Sequence, residues 1–250
     1  MADMTRPPET VEEFRRNLDE VRSRIVDSAC RVDRDPAEVR LLPVSKTVPE
    51  SRLINAITAG CTQLGENKVQ EAKRKAANLA HLGVSWSVIG HLQTNKAKDV
   101  AAFADEFQAL DSLRVAEALD RRLQALGRSL DVFVQVNTSA EESKFGLPPE
   151  EVDGFVAELR HFHALRPVGL MTLAVFSDDH TRVRDCFIRL RTIRDRLRET
   201  RPDGMGLEEL SMGMSGDFEL AIEEGATVVR VGQAIFGPRG LPDSHYWPTT

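Results

Sequence analysis

The stretch LLPVSKTVP, residues 41–49, begins as a strand that is apolar on both faces and ends on Lys46, between a serine and a threonine. Strands buried on both faces are typical of parallel sheets that helices cover on each side. An ammonium group at the end of such a strand is costly unless a partner or a ligand uses it. The stretch therefore indicates an α/β fold and a candidate functional amine together.

The same alternation of a short apolar run and an amphipathic helix continues along the whole chain. An extra N-terminal helix over about 10–30, with Thr10 as its cap, precedes the first strand. Proline stands where helices begin and glycine where they end, as at Pro49 and Gly127. The predicted strands are 39–46, 61–66, 84–90, 107–111, 130–137, 166–173, 207–212 and 227–232. The predicted helices between them are 49–59, 68–80, 95–103, 113–126, 148–163, 180–200 and 216–224.

Parallel strands joined by helices form either a doubly wound sheet or a closed barrel. About eight strand–helix units in 250 residues favour a single (β/α)8 TIM barrel. We expect one domain over 1–250, with the barrel over about 39–237 and a short C-terminal tail. In such barrels the chemistry lies at the carboxyl ends of the strands, so the residues that follow each strand are the site candidates.

Composition excludes several classes of function. The formal net charge of -6 and the pI near 5.6 argue against nucleic acid as a partner. The three cysteines are scattered without metal-ligand spacing, which indicates a reducing compartment and no bound metal. No run approaches the length of a membrane span, and the first residues do not resemble a secretion signal. We expect a cytoplasmic monomer without membrane contact.

Lys46 has an ordinary and a functional interpretation. A lysine at a strand end is often a side chain that extends its charge to solvent. In an apolar, partly desolvated site, however, an amine has a lowered pKa and condenses with an aldehyde to form a Schiff base. That chemistry suits a carbonyl substrate, as in a lysine aldolase, or the cofactor pyridoxal 5′-phosphate (PLP).

Two glycine-containing turns predict an anion site opposite the lysine. The stretch ELSMGMSGDFELAIEEG places Gly213, Ser215 and Gly216 between a strand and a short helix. Backbone N–H groups there, with the Ser215 hydroxyl, would hold a phosphate. A second turn, at Gly232, follows the last strand, and barrels often bind phosphate after strands seven and eight. The alternative is that small residues merely permit tight turns.

Arg230 at the end of the last strand needs an acceptor if it points into the barrel. The pyridine nitrogen of PLP is one, and a salt bridge to a carboxylate such as Asp111 is the alternative. Asn67, after the second strand, either caps the next helix or contacts a cofactor. His91 is expected to be a packed hydrogen-bonding residue. The loop NTSAEESKFG is a candidate lid that carries Lys144.

The motifs PVSKTVP, LGENKVQE, IGHLQTNK, VNTSAEESKFG, GLMTL, LSMGMSGDFELAI and RVGQAIFG together resemble the pyridoxal phosphate homeostasis protein family, which is similar to the N-terminal barrel of alanine racemase. The resemblance runs from about residue 10 to residue 240. It implies a PLP fold type III barrel with PLP held as an aldimine on Lys46. It also implies phosphate contacts from Ser215, Gly232 and Gln233, with Arg230 at the pyridine nitrogen. Asn67 and Met212 complete the predicted cofactor-binding set.

The resemblance implies a carrier or regulator of PLP, with PLP-dependent apoenzymes as candidate partners and no established catalytic residue. Two positions depart from the family pattern: Lys68 stands where an aromatic residue is usual, and Ser87 where histidine is usual. A racemase-like enzyme is the alternative, although it needs a tyrosine opposite the lysine, and the only tyrosine is Tyr246 in the tail. A Schiff-base aldolase is a further alternative, which Arg230 fits less well.

Overall fold

The eight predicted strands are present and form one parallel sheet. The computed structural model describes residues 6–141, 144–200 and 205–238. The hydrogen-bonded order of the strands is β1-β8-β7-β6-β5-β4-β3-β2, and every pair is parallel. The strands are β1 Arg40–Pro43, β2 Gln63–Glu66, β3 Ser85–Val88, β4 Glu106–Leu110, β5 Leu130–Gln135, β6 Leu165–Met171, β7 Glu209–Ser211 and β8 Val228–Val231.

The two end strands of this order, β1 and β2, meet and close the sheet into a barrel. Val44 and Gly65 form a single parallel bridge, and the Ser45 N–H donates to the Gly65 carbonyl at 2.9 Å. We call this junction between β1 and β2 the seam. The predicted (β/α)8 barrel is therefore confirmed, whereas its description as one domain over 1–250 stays a prediction.

Helices surround the barrel and bury its outer face. They are α1 Val11–Cys30, α2 Glu50–Thr58, α3 Val69–Asn78, α4 Ala97–Phe103, α5 Leu113–Leu126, α6 Val152–Leu159, α7 His180–Thr200, α8 Phe218–Glu223 and α9 Gln233–Phe236. Short 3-10 turns lie at Pro36–Glu38, Ala80–Leu82, Thr94–Lys96 and Pro149–Glu151. Tyr246 and the predicted tail lie outside the described residues.

The extra N-terminal helix, α1, begins as its sequence predicts. The Thr10 side chain accepts from the Glu13 N–H, and the Glu13 carboxylate accepts from the Thr10 N–H, which is a complete capping box. Apolar residues at helical spacing, from Phe14 onward, bury one face of the helix. Phe14 meets Phe236 of α9 edge to face, with ring centroids 5.8 Å apart. The helix thus covers the last strand–helix unit.

The predicted element ends were wrong at several functional positions. The first strand ends at Pro43, so Lys46 lies in the turn after it rather than in the strand. The cap predicted for Asn67 is also wrong, because α3 begins at Val69 and its N-cap position is Lys68, without a side-chain cap. The predicted helix 148–163 is a 3-10 turn followed by the shorter α6. The last helix, α9, was missed because its four residues are too few to show periodicity.

Candidate functional site

Lys46 lies at the barrel mouth, the end where the carboxyl ends of the strands meet. It sits in a tight turn in which the Val48 N–H donates to the Ser45 carbonyl at 3.0 Å. Thr47 takes a φ of 67°, the left-handed region that β-branched residues rarely adopt. Only 8% of Lys46 is exposed, so the amine belongs to a nearly buried residue at the mouth. A strained, constrained backbone around a buried amine is a common feature of functional sites.

The two glycine-containing turns of the predicted anion site lie against each other. The Gly232 N–H donates to the Ser215 hydroxyl at 3.2 Å, which joins the turn after β7 to the turn after β8. Gly213 has a φ of 90°, and a Cβ there would lie 2.7 Å from the Ala221 Cβ. A Cβ on Gly232 would lie 3.2 Å from the Val44 carbonyl oxygen. Glycine is therefore required for the close approach of these backbones.

A cavity of about 140 Å³ brings the amine and one of these turns together. Its lining includes Lys46, Gly232 and Gln233, three of the seven predicted binding residues. Ser215 reaches this group through its hydrogen bond to Gly232. The rest of the lining comes from Pro7, Val44, Thr47, Val48, Arg52, Phe236, Gly237 and Pro238.

Arg230 is buried inside the barrel, with 3% of the residue exposed. Its Nη1 donates to the Ser211 hydroxyl and its Nη2 to the Thr172 carbonyl, both at 2.7 Å. Burial lowers the pKa of Arg230 to about 10, and the nearby Asp217 carboxylate acts in the opposite direction. The salt bridge to Asp111 offered as an alternative is wrong, because these neutral acceptors hold the guanidinium. The two bonds use two of its five N–H groups.

A chain of buried polar groups leads from Arg230 toward the other end of the barrel. The Ser211 hydroxyl donates to Gln108 Oε1 at 2.6 Å, and Gln108 Nε2 donates to Glu106 Oε1 at 2.6 Å. Glu106 also accepts from the Ser87 hydroxyl at 2.7 Å and from Arg40 at 2.6 Å. The serine that departs from the family pattern is thus a member of this chain. The sequence analysis missed the chain, although two polar residues two apart in the buried strand β4 indicate it.

Asn67 and Met212, like Ser215 and Arg230, are not part of the lining of this cavity. Asn67 is half-buried after β2, and its carbonyl oxygen packs so closely on Gly90 that a Cβ there would lie 2.1 Å away. Met212 is completely buried, and its N–H donates to the Val228 carbonyl at 3.1 Å. Neither residue lines the cavity that contains Lys46.

The far side of the mouth carries the predicted lid loop. The Phe145 ring stacks on His91 with centroids 4.0 Å apart, and His91 Nδ1 lies 3.6 Å from Asp111 Oδ2. Burial raises the pKa of Asp111, while His91 acts to lower it. Lys144 donates to the Ala174 carbonyl at 2.8 Å, so it is held by the next loop. The prediction of a packed position for His91 is wrong, because the residue is exposed and its ring stacks on Phe145.

A second lysine, Lys75 of α3, is completely buried next to the seam. Its Nζ donates to the Ser45 carbonyl at 2.9 Å, to Glu66 Oε1 at 2.7 Å and to Glu71 Oε1 at 2.8 Å. The sequence analysis missed this cluster. The signal was available, because Lys75 falls three residues after Ala72 on the buried face of the helix.

Two other kinds of site find no support in the part of the chain that the structure describes. No group of three or more His, Cys, Asp or Glu side chains there is arranged to hold a metal ion. Among the same residues, no helix is both long and apolar enough to cross a membrane.

The fold and the site define an α/β barrel with a nearly buried lysine and two glycine-containing turns at its mouth. The family profile of the alanine racemase N-terminal domain matches residues 11–240. A pyridoxal phosphate homeostasis protein of Pseudomonas aeruginosa is 40% identical over 91% of this chain and 97% of that protein. PipY of Synechococcus elongatus, whose structure was solved with PLP bound, has a TM-score of 0.80 and 34% identity, over 90% of this chain and all of that one.

Alanine racemase of Clostridium difficile shares the fold alone, with a TM-score of 0.70 and 16% identity over 96% of this chain and 60% of that one. The chain belongs to the alanine racemase N-terminal domain family, within the group of the pyridoxal phosphate homeostasis proteins.

Proposed function

We propose that this chain binds PLP through a Schiff base to Lys46 and acts in PLP homeostasis as a carrier or regulator. When bound, PLP would supply an aldehyde and an electron-withdrawing ring. The chain's own residues would supply the Lys46 amine that condenses with the aldehyde with loss of water, the two turns that hold the phosphate, and the Arg230 cation at the pyridine nitrogen.

The observation that carries the proposal is the shared cavity of Lys46, Gly232 and Gln233. A ligand that carries both an aldehyde and a phosphate matches an amine and a backbone N–H cradle in one cavity. PLP has both groups, and PipY, a relative over 90% of this chain, was solved with PLP bound. The printed name of the Pseudomonas relative supports the homeostasis role.

The remaining predicted residues have assigned roles in the proposal. Ser215, Gly232 and Gln233 hold the phosphate, and Arg230 donates to the pyridine nitrogen with an N–H group that neither Ser211 nor Thr172 uses. Asn67 and Met212 are assigned to the rim and floor of the site. Arginine at the pyridine nitrogen keeps the ring a weak electron sink, because arginine retains its proton.

A weak electron sink favours a binding role over catalysis. Abstraction of an α-proton needs a base on one face of the substrate and an electron sink in the ring, and racemisation needs a second acid/base group on the opposite face. We propose that the chain is a cytoplasmic, single-domain monomer whose partners are PLP and PLP-dependent apoenzymes. The racemase-like and aldolase alternatives have no observation that favours them.

The first test is the absorbance of the purified protein with added PLP, where a Schiff base gives a band near about 420 nm. Borohydride reduction followed by peptide mass mapping should place the pyridoxyl group on Lys46. Labelling mainly on Lys68, Lys96 or Lys144 would contradict the site. The matched control is Lys68→Ala, which changes an exposed lysine near the mouth and should keep the band, whereas Lys46→Ala should lose it.

The carrier role has its own test, which is α-proton exchange of alanine and serine in deuterated water. We expect the rate with the protein to stay close to that of free PLP. Exchange well above the rate of free PLP would return the chain to the racemase-like alternative.

A further inference from the structure

Lys75 makes an unusually complete set of contacts for a buried lysine. None of its surface is exposed, and its three ammonium hydrogens have three acceptors within 2.9 Å. A buried ion pair of this kind often adds little net stability, because desolvation offsets the attraction. Stability alone therefore does not explain why a charged cluster is buried at this place in the fold.

The cluster holds both chain neighbours of Lys46. On one side, Lys75 binds the Ser45 carbonyl, while the Ser45 hydroxyl donates to Glu66 Oε1 at 2.6 Å. On the other side, Glu71 Oε1 accepts from the Thr47 N–H at 3.0 Å. Since Glu66 and Glu71 both accept from Lys75, one cation fixes the backbone before and after Lys46.

The backbone held in this way is strained. Thr47 has a φ of 67°, a conformation that is unfavourable for a residue other than glycine and persists only where surrounding contacts impose it. The hydrogen bond from the Thr47 N–H to Glu71 is such a contact. Without it, the turn would relax toward an ordinary φ, and the amine of Lys46 would change its direction.

We propose that Lys75, through Glu66 and Glu71, is a positioning residue that directs the amine of Lys46 toward the aldehyde of the bound ligand. The proposal rests on the proposed function, because it assigns Lys75 a role in forming the bond to Lys46. Lys75 itself does not contact the ligand. It acts from α3, next to the seam, by keeping Ser45 and Thr47 in place.

The test compares two ligands that differ in the aldehyde. PLP forms a covalent bond with Lys46, whereas pyridoxine 5′-phosphate has the same ring and phosphate but an alcohol in place of the aldehyde. Two variants disrupt the cluster: Lys75→Met removes the cation, and Glu71→Ala removes the acceptor that the Thr47 N–H shares with Lys75 Nζ. Glu71 is partly buried, with 19% of its side chain exposed, and the second variant leaves the buried Lys75–Glu66 pair in place.

We expect both variants to weaken PLP binding about tenfold or more and to lower the absorbance of the Schiff-base band at saturation. Binding of pyridoxine 5′-phosphate, measured by calorimetry, should change less than about twofold. The matched control is Arg128→Met, which removes another partly buried cation whose two acceptors, the carbonyls of Ala101 and Ala104, lie at the other end of the barrel. This control should leave both ligands unaffected.

Three results would overturn either this proposal or the proposed function on which it rests. Equal weakening of both ligands by Glu71→Ala would make the cluster merely structural and overturn the proposal. Unchanged PLP binding in the folded Glu71→Ala variant would also overturn it. Failure of the unmodified protein to give the absorbance band would instead overturn the proposed function itself, whatever the variants do. If Lys75→Met does not fold, Glu71→Ala alone decides whether the proposal stands.

Discussion

The hydroxyl of Ser211 lies 2.7 Å from Nη1 of Arg230, in the barrel interior where both residues are almost fully buried. The same hydroxyl donates to Gln108, so it orients the guanidinium and is itself oriented by β4. Its two hydrogen-bond acceptors, a hydroxyl and a carbonyl, are neutral and fix the direction of the guanidinium.

Ser211→Ala should therefore destabilise the protein. The substitution leaves one buried N–H donor of Arg230 without its acceptor, and the desolvation of that donor costs about 1–3 kcal/mol. Urea denaturation of the ligand-free protein gives the free energy of unfolding. Ser51→Ala, at an exposed position on α2, is the matched control and should stay within about 0.5 kcal/mol of the unmodified protein. A loss below that limit for Ser211→Ala would mean that Arg230 finds another acceptor.

Gly232→Ala should weaken the binding of phosphate-bearing ligands, and Gly232→Val should weaken it further. A Cβ at this position lies 3.2 Å from the Val44 carbonyl, so the turn must move away from the Ser215 hydroxyl. Calorimetry with pyridoxine 5′-phosphate measures the effect without the covalent bond. Gly216→Ala is the control, because a Cβ there meets no atom within 4 Å. Equal effects of the two alanine variants would place the anion elsewhere.

Glu66 should give the protein a distinctive dependence of stability on pH. Burial raises the pKa of this carboxyl above its ordinary value, and Lys75 opposes the rise. The stability contributed by its protonated form is fully present below the unfolded pKa and is lost as pH rises through the raised folded pKa. The free energy of unfolding of the unmodified protein, minus that of Glu66→Gln, should therefore fall with rising pH above about 4.3. A difference that stays constant or rises would contradict the direction of this shift.

One of the three cysteines should react with a thiol reagent in the folded protein. Cys30 is exposed, whereas Cys61 and Cys186 are buried. Burial also raises the pKa of the Cys61 thiol to about 12, so the reactive thiolate is scarce at about pH 8. Native labelling counted by mass spectrometry should give one modified residue, and labelling in denaturant should give three. Rapid labelling of Cys61 in the native protein would mean that the β2 side of the barrel opens readily.

Much of the barrel could be predicted from the sequence, because each strand–helix unit has its own local signals. The Thr10 cap, Pro49 at the start of α2 and Gly127 at the end of α5 all lie where short-range rules place them. The ends of the strands could not be read in the same way. The turn that carries Lys46 depends on Thr47 adopting a positive φ, which only contacts with α3 explain.

Lys46 and Gly232 could be singled out from the sequence because an amine and a glycine turn have recognisable chemistry in any fold, whereas Gln233 came from the family resemblance. The structure places all three around one cavity. The contacts of Lys75 and Gln108 needed the packing of separate elements. Their neighbours are supplied by residues 30 and 103 positions away along the chain, respectively, which no local pattern reports.

The seam has a consequence for how binding is coupled to barrel opening. On one side of it stand the two glycine turns, β8 and Lys46, and on the other stand Glu66 and Lys75. Among the described residues, the Val44–Gly65 bridge is the one β-bridge between the two sides. Ser45, next to Lys46, donates its N–H across the seam. A ligand bonded to Lys46 should therefore stabilise this junction against local opening and slow the amide hydrogen exchange of Ser45. Exchange at that one amide thus becomes a measure of occupancy that needs no chromophore.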